Sequence, residues 1–124
     1  MLNLTLGHNF NHQIVLPPNL QTLICGDKFN HPIILPSSLK TLCFGNDFNQ
    51  PISLTPNLQI LEFGNNFNQP IEMLPEKLQI LKLGWCFNRP IAALPQSLQS
   101  LTVSERYMCS GIQRAYPKLK VTYN

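Results

Sequence analysis

The chain has 124 residues, of which 44% are hydrophobic and 12% charged, a balance that fits one globular domain and excludes a disordered chain. The formal charge is +3, and it is unevenly placed. Through residue 100, Lys28, Lys40, Lys77, Lys82 and Arg89 cancel Asp27, Asp47, Glu62, Glu72 and Glu76, so the excess is Arg106, Arg114, Lys118 and Lys120 against Glu105. Four cations at one end could touch an acidic partner, but the first reading is a solvated polar cap over the end of a core, and no nucleic-acid partner is expected.

Cys25, Cys43, Cys86 and Cys109 form no C-x-x-C pair and do not cluster with His8, His12 or His31, which argues against a zinc module or a dense disulfide framework. Reduced thiols are expected. The opening residues lack the features of a secretory leader, and no run of 18 apolar residues is present, so the expected setting is cytosolic or nuclear, with the cytoplasm preferred and no membrane partner.

The first expected element is a strand at the start of the chain, with Leu4 and Leu6 facing inward, followed by Gly7, Phe10-Asn11 and Ile14. The same order then recurs. Phe-Asn pairs stand at Phe10, Phe29, Phe48, Phe67 and Phe87, in steps of 19, 19, 19 and 20 residues, and each is preceded three residues earlier by Gly7, Gly26, Gly45, Gly64 or Gly84. Before the glycines runs L-x-x-L-x-apolar: Leu20 to Cys25, Leu39 to Phe44, Leu58 to Phe63, Leu78 to Leu83, and finally Leu98 to Val103. The units are therefore about 1–19, 20–38, 39–57, 58–77 and 78–97, then a strand over 98–104 and a C-terminal cap over 105–124.

Each unit predicts a short strand with one buried face, stacked on its neighbours as a parallel sheet with about 4.8 Å between strands. The glycine is expected to supply a turn with positive φ, and the phenylalanine to fold back into the coil. Asn11, Asn30, Asn49, Asn68 and Asn88 are placed to satisfy backbone groups from coil to coil. Between Asn30 and Leu39 lie Pro32 and Pro36, which leave no room for a helix. The return side is therefore expected to be extended, with at most a short 3₁₀ turn. Pro51 and Pro56, Pro70 and Pro75, and Pro90 and Pro95 repeat the signal, while Gln13 and Thr55 stand where a proline is usual. The fold class is an all-β repeat solenoid with a parallel sheet on one side and proline-containing segments on the other.

F-N-x-P-I at Phe29 to Ile33, Phe48 to Ile52, Phe67 to Ile71 and Phe87 to Ile91, followed by L-P-x-x-L-x-x-L-x-x-G, resembles the FNIP repeat, a short relative of leucine-rich repeats. The resemblance covers roughly residues 1 to 104. It implies a viral or protist protein, in the former case acting in the host cytoplasm. It further implies a protein-interaction role, as the substrate-recognition part of a ubiquitin-ligase adaptor or a decoy of one.

On the strands, two columns point outward: Asn3, Thr22, Thr41, Ile60, Ile80, Ser100 and Thr5, Ile24, Cys43, Glu62, Lys82, Thr102. Repeat solenoids commonly bind through such a face, so Thr22, Ile24, Thr41, Cys43, Ile60, Glu62, Ile80 and Lys82 are partner-binding candidates. Trp85 joins them as an aromatic anchor. A third column, in the loop after the glycine, runs His8, Asp27, Asn46, Asn65, Trp85, Glu105. Glu62 and Lys82 are expected to form a cross-strand ion pair. His12 and His31 share a repeat position but are expected to be solvated.

The opening strand has no coil before it, so Met1, Leu2, Leu4 and Leu6 are candidates for self-association into a homodimer. That gives an alternative reading, a structural, self-assembling repeat protein. No phosphate loop, G-x-S-x-G, H-E-x-x-H or repeated carboxylate pair is present, so neither an enzyme nor a cofactor or metal site is expected.

Overall fold

A computed structural model describes residues 2–91, 93–107 and 115–124. Seven short strands, β1 (Leu2–Thr5), β2 (Leu20–Ile24), β3 (Thr41–Cys43), β4 (Ile60–Glu62), β5 (Ile80–Lys82), β6 (Ser100–Val103) and β7 (Lys120–Tyr123), form one sheet in chain order. All neighbours are parallel, and Leu4, Leu23, Leu42, Leu61, Leu81 and Leu101 lie in register. Consecutive parallel neighbours one repeat apart define a β-solenoid, the arrangement the periodicity predicts. The C-terminal cap expected over 105–124 falls partly outside the described residues, as do Met1 and, within the cap, Cys109.

Each coil closes through two tight turns. One runs from glycine to phenylalanine, as in Phe10 N to Gly7 O at 3.2 Å; the other runs from proline to leucine, as in Leu39 N to Pro36 O at 3.2 Å. The proline side between them is extended, and its turn is a single i to i+3 bond.

The core is a pile of identical layers. Phe29, Phe48, Phe67 and Phe87 are buried and stack face to face on Phe10, with ring centroids 6.0 to 6.2 Å apart. Tyr107 ends the pile 5.7 Å from Phe87, and its hydroxyl donates to Arg89 O at 2.7 Å. A second pair, Phe44 and Phe63, lies against the first stack at 3.7 Å from Phe48 and Phe67. Each such ring contributes about 1.5–3 kcal/mol by leaving water.

Polar groups are satisfied along the same axis. The amide of Asn30 donates to Asn11 Oδ1, Asn49 to Asn30 Oδ1 and Asn68 to Asn49 Oδ1, each at 2.9 Å, and Asn88 to Asn68 Oδ1 at 3.0 Å. The next residue reinforces the run, with Gln50 Nε2 donating to Asn30 Oδ1 at 3.1 Å and Gln69 Nε2 to Asn49 Oδ1 at 3.2 Å, each in the preceding coil. His31 takes part as well: its Nε2 lies 3.0 Å from Asn11 O and the ring is half-buried, so it is not simply solvated. His12 is exposed and meets the Phe10 ring edge-on at 5.5 Å.

The glycines have a different reason from the one expected. None of them occupies the positive-φ region; instead a Cβ on Gly26, Gly45, Gly64 or Gly84 would lie 2.3 to 2.4 Å from the carbonyl oxygen of the preceding repeat's glycine. The repeat needs glycine because successive coils touch backbone to backbone at that corner. Gly7, with no described coil before it, has nothing within 4 Å of the same position.

Thr55 is the one interruption of the linker prolines that leaves a mark. Its Oγ1 is buried without a hydrogen-bond partner, and Pro17, Pro36, Pro75 and Pro95 occupy the matching place in other coils. Thr55→Pro removes the unpaired hydroxyl and restricts the unfolded chain, so a stabilisation of about 1 kcal/mol is expected. A thermal melt reads it as a Tm raised by a few degrees.

Candidate interaction surface

The register sets the outward side chains in the columns that the strand pattern predicts. Asn3, Thr22, Thr41, Ile60, Ile80, Ser100 and Lys120 are successive partners, as are Thr5, Ile24, Cys43, Glu62, Lys82, Thr102 and Thr122. Ile24 is 41% and Ile80 38% exposed, with Ile60, Thr22, Thr41, Cys43 and Glu62 half-buried between neighbours. The surface is therefore a sheet face with an apolar strip, not a closed pocket.

Where the face meets the loops after the glycines, Cys43, Glu62, Lys82 and Trp85 share one open depression of about 430 Å³, with Asp27, Asn46, Asn65 and Asn124 also lining it. The third column is itself a chain of contacts. His8 Nδ1 lies 3.5 Å from Asp27 Oδ2, Asp27 Oδ1 accepts from the Asn46 amide at 3.2 Å, and Asn46 Oδ1 accepts from the Asn65 amide at 3.2 Å. At Trp85 the chain of hydrogen bonds gives way to a cation–π contact. The indole is 50% exposed, with the Arg106 guanidinium 4.9 Å above it. A tryptophan half in water and ordered by a cation is suited to an anchor role.

Glu62 and Lys82 do not form the expected ion pair. They are direct partners in register, but Glu62 Oε2 accepts from the Cys43 thiol at 3.4 Å. Among the described residues Lys28 and Asp47 are paired at 4.0 Å, and His8 and Asp27 lie 3.5 Å apart, an ion pair only when the imidazole is protonated. The half-buried Cys43 supplies a donor beside Glu62, whereas Lys82 keeps its ammonium in water at little cost, as the small value of an exposed pair allows.

Burial and the neighbouring Glu62 favour the protonated form of Cys43. Burial first, then the Glu62 charge and hydrogen bond, push its thiol from 9.0 up to about 12, with Lys82 opposing. Burial, and then Cys43, push Cys25 from 9.0 to about 12. A folded pKa above the unfolded value means that these protonated thiols support the fold below pH 9.0 and that the contribution is lost as the pH rises toward about 12. Because thiolate is the reactive form, iodoacetamide at pH 8 is expected to label the exposed Cys86 and to leave Cys43 and Cys25 unmodified. Peptide mass mapping checks this.

The self-association candidates split. Leu2 is exposed and Leu4 half-buried, while Leu6 is buried in the core. Leu6 therefore offers no side-chain surface, and Met1 lies outside the described residues.

The most exposed apolar side chains are on the opposite side and had no role in the sequence reading. Val15 is 94% and Ile34 91% exposed. They flank an apolar groove of about 470 Å³ between the first two coils, lined also by Ile14, Leu16, Pro32 and Leu35. Met73 stands in the same way between two further grooves. Val15 and Ile34 directly follow Ile14 and Ile33 of their copies, and Met73 stands two residues after Ile71, where the copy is one residue longer.

Among the described residues, no helix is long and apolar enough to cross a membrane, and no group of three or more His, Cys, Asp and Glu is placed to hold a metal ion. Layered coils, a parallel sheet and an asparagine-bonded turn make the protein a short-repeat β-solenoid. The FNIP Repeat family matches residues 10–47, 29–54, 48–84 and 67–105, and the chain belongs to that family. A search of curated proteins found no match.

Proposed function

We propose that the protein is a protein-interaction module that engages its partner through the outward sheet face and the adjoining Trp85 loop. The observation that carries this reading is the convergence of Cys43, Glu62, Lys82 and Trp85 on one depression beside an apolar strip of Ile24, Ile60 and Ile80. Almost every residue that repeats is consumed by the core or by coil-to-coil hydrogen bonds. Much of what differs between copies lies on this face. Seven strands at about 4.8 Å spacing extend about 29 Å, room for an interface of roughly 600–800 Å² per partner, at the small end of stable complexes. Use as a recognition element for ubiquitin machinery, or as a decoy of one, is the specialisation that the family membership suggests.

Affinity capture with alanine at Ile60, Ile80, Lys82 and Trp85 tests the reading. Loss of a captured partner while the variant stays folded and monomeric supports it. The second reading, self-assembly, is favoured by the place of β1 at the edge of the described sheet and by exposed Leu2. It requires instead that light scattering of the 124-residue chain show association that Leu2→Lys abolishes.

A further inference from the structure

We propose that the sheet face around Lys82, Trp85 and Arg106 takes an extended peptide carrying an acidic side chain next to a large apolar one. The proposal rests on the reading of the sheet face as an interaction surface and names the chemistry of its partner. Three observations converge on it. Lys82 is aligned with Glu62, yet that carboxylate takes the Cys43 thiol at 3.4 Å and no described acid lies within 4.0 Å of the ammonium. Arg106 is held over Trp85 at 4.9 Å and likewise has no ion-pair partner among the described residues. Lys120, in register with Ser100, adds an exposed cation to the first outward column.

The face is therefore graded in charge. Asp27 and Glu62 border its β2 to β4 half, whereas Lys82, Arg106 and Lys120 outnumber the exposed Glu105 in its β5 to β7 half. Ile60 and Ile80 lie at the junction. From β4 to β7 is three strand spacings, about 14 Å, which four or five extended residues at about 3.3 Å each would cross. A short peptide fits this gradient with its apolar side chain over Ile80 and Trp85 and its carboxylate reaching Lys82 or Arg106. Nucleic acid is the poorer fit, since duplex binders neutralise about six to ten phosphates and the acids of the other half oppose it.

Selection of a displayed random peptide library on the full chain, followed by titration of synthetic winners using the single tryptophan's emission, tests this. The expected winners pair Asp or Glu with a large apolar residue. They bind folded Lys82→Glu/Arg106→Glu protein at least about tenfold more weakly, weaken in high salt, and are not displaced by a duplex oligonucleotide. Winners without an acid that are lost on Ile80→Ser overturn the acidic chemistry and leave the sheet-face reading standing. Winners indifferent to both variants overturn both. Failure to enrich any peptide, or displacement by the oligonucleotide, overturns the proposal.

Discussion

Gly64→Ala is expected to be among the most damaging single-methyl additions in the molecule, lowering stability by about 3 kcal/mol and the Tm by about 10 °C. The added Cβ would sit 2.3 Å from Gly45 O and 2.5 Å from its carbonyl carbon. Neither can rotate away as a side chain would, so the coils must separate. Separation also strains the bonds on either side of the corner, Phe44 N to Glu62 O at 2.8 Å and Asn66 N to Asn46 O at 3.0 Å. Gly7→Ala is the internal control: nothing lies within 4 Å of its Cβ position, and a change within about 0.5 kcal/mol is expected. Chemical denaturation of the two variants checks the pair. Equal losses would mean that backbone conformation, not coil contact, explains the glycines.

Phe48→Ala is expected to cost about 3–5 kcal/mol, enough to unfold much of a marginally stable domain. Phe48 is fully buried and touches the rings of Phe29, Phe44 and Phe67, at 6.2, 3.7 and 6.1 Å between centroids. Its removal opens a cavity in the middle of the stack, which neighbours pinned by their own layers cannot fill. Phe10→Ala, at the half-buried end of the stack, should cost less than half as much. A solenoid whose layers support one another predicts this gradient from middle to end in urea unfolding.

The strand register and both outward columns were legible because L-x-x-L-x-apolar fixes which side chains face inward once the period is known. Leu23, Leu42, Leu61, Leu81 and Leu101 are all fully buried. The asparagine position was legible for a related reason: an amide at a constant phase can bond only to its copy in the next layer. The reason for the glycines was not, because a residue required by close approach and one required by positive φ look alike in sequence. The distinction appears only when Gly45 O is seen 2.3 Å from the place of a Gly64 Cβ.

The local chemistry of the face was also out of reach. Opposite charges at Glu62 and Lys82 suggested a pair, but a half-buried thiol one strand away competes successfully for the carboxylate, at 3.4 Å. Trp85 could be marked only as unusual, since its contact with Arg106 comes from the following coil. Val15 and Ile34 carry side chains typical of a core, and only the alternation of an extended segment turns them outward. They form a rival apolar surface on the proline side.

Side-chain footprinting of the chain with and without a captured partner or selected peptide discriminates between the two surfaces most directly. Protection of Ile24, Ile60, Ile80 and Trp85, with Val15, Ile34 and Met73 unchanged, is the result expected if the sheet face carries recognition. Protection of Val15 and Ile34 with the Trp85 label unchanged would contradict it.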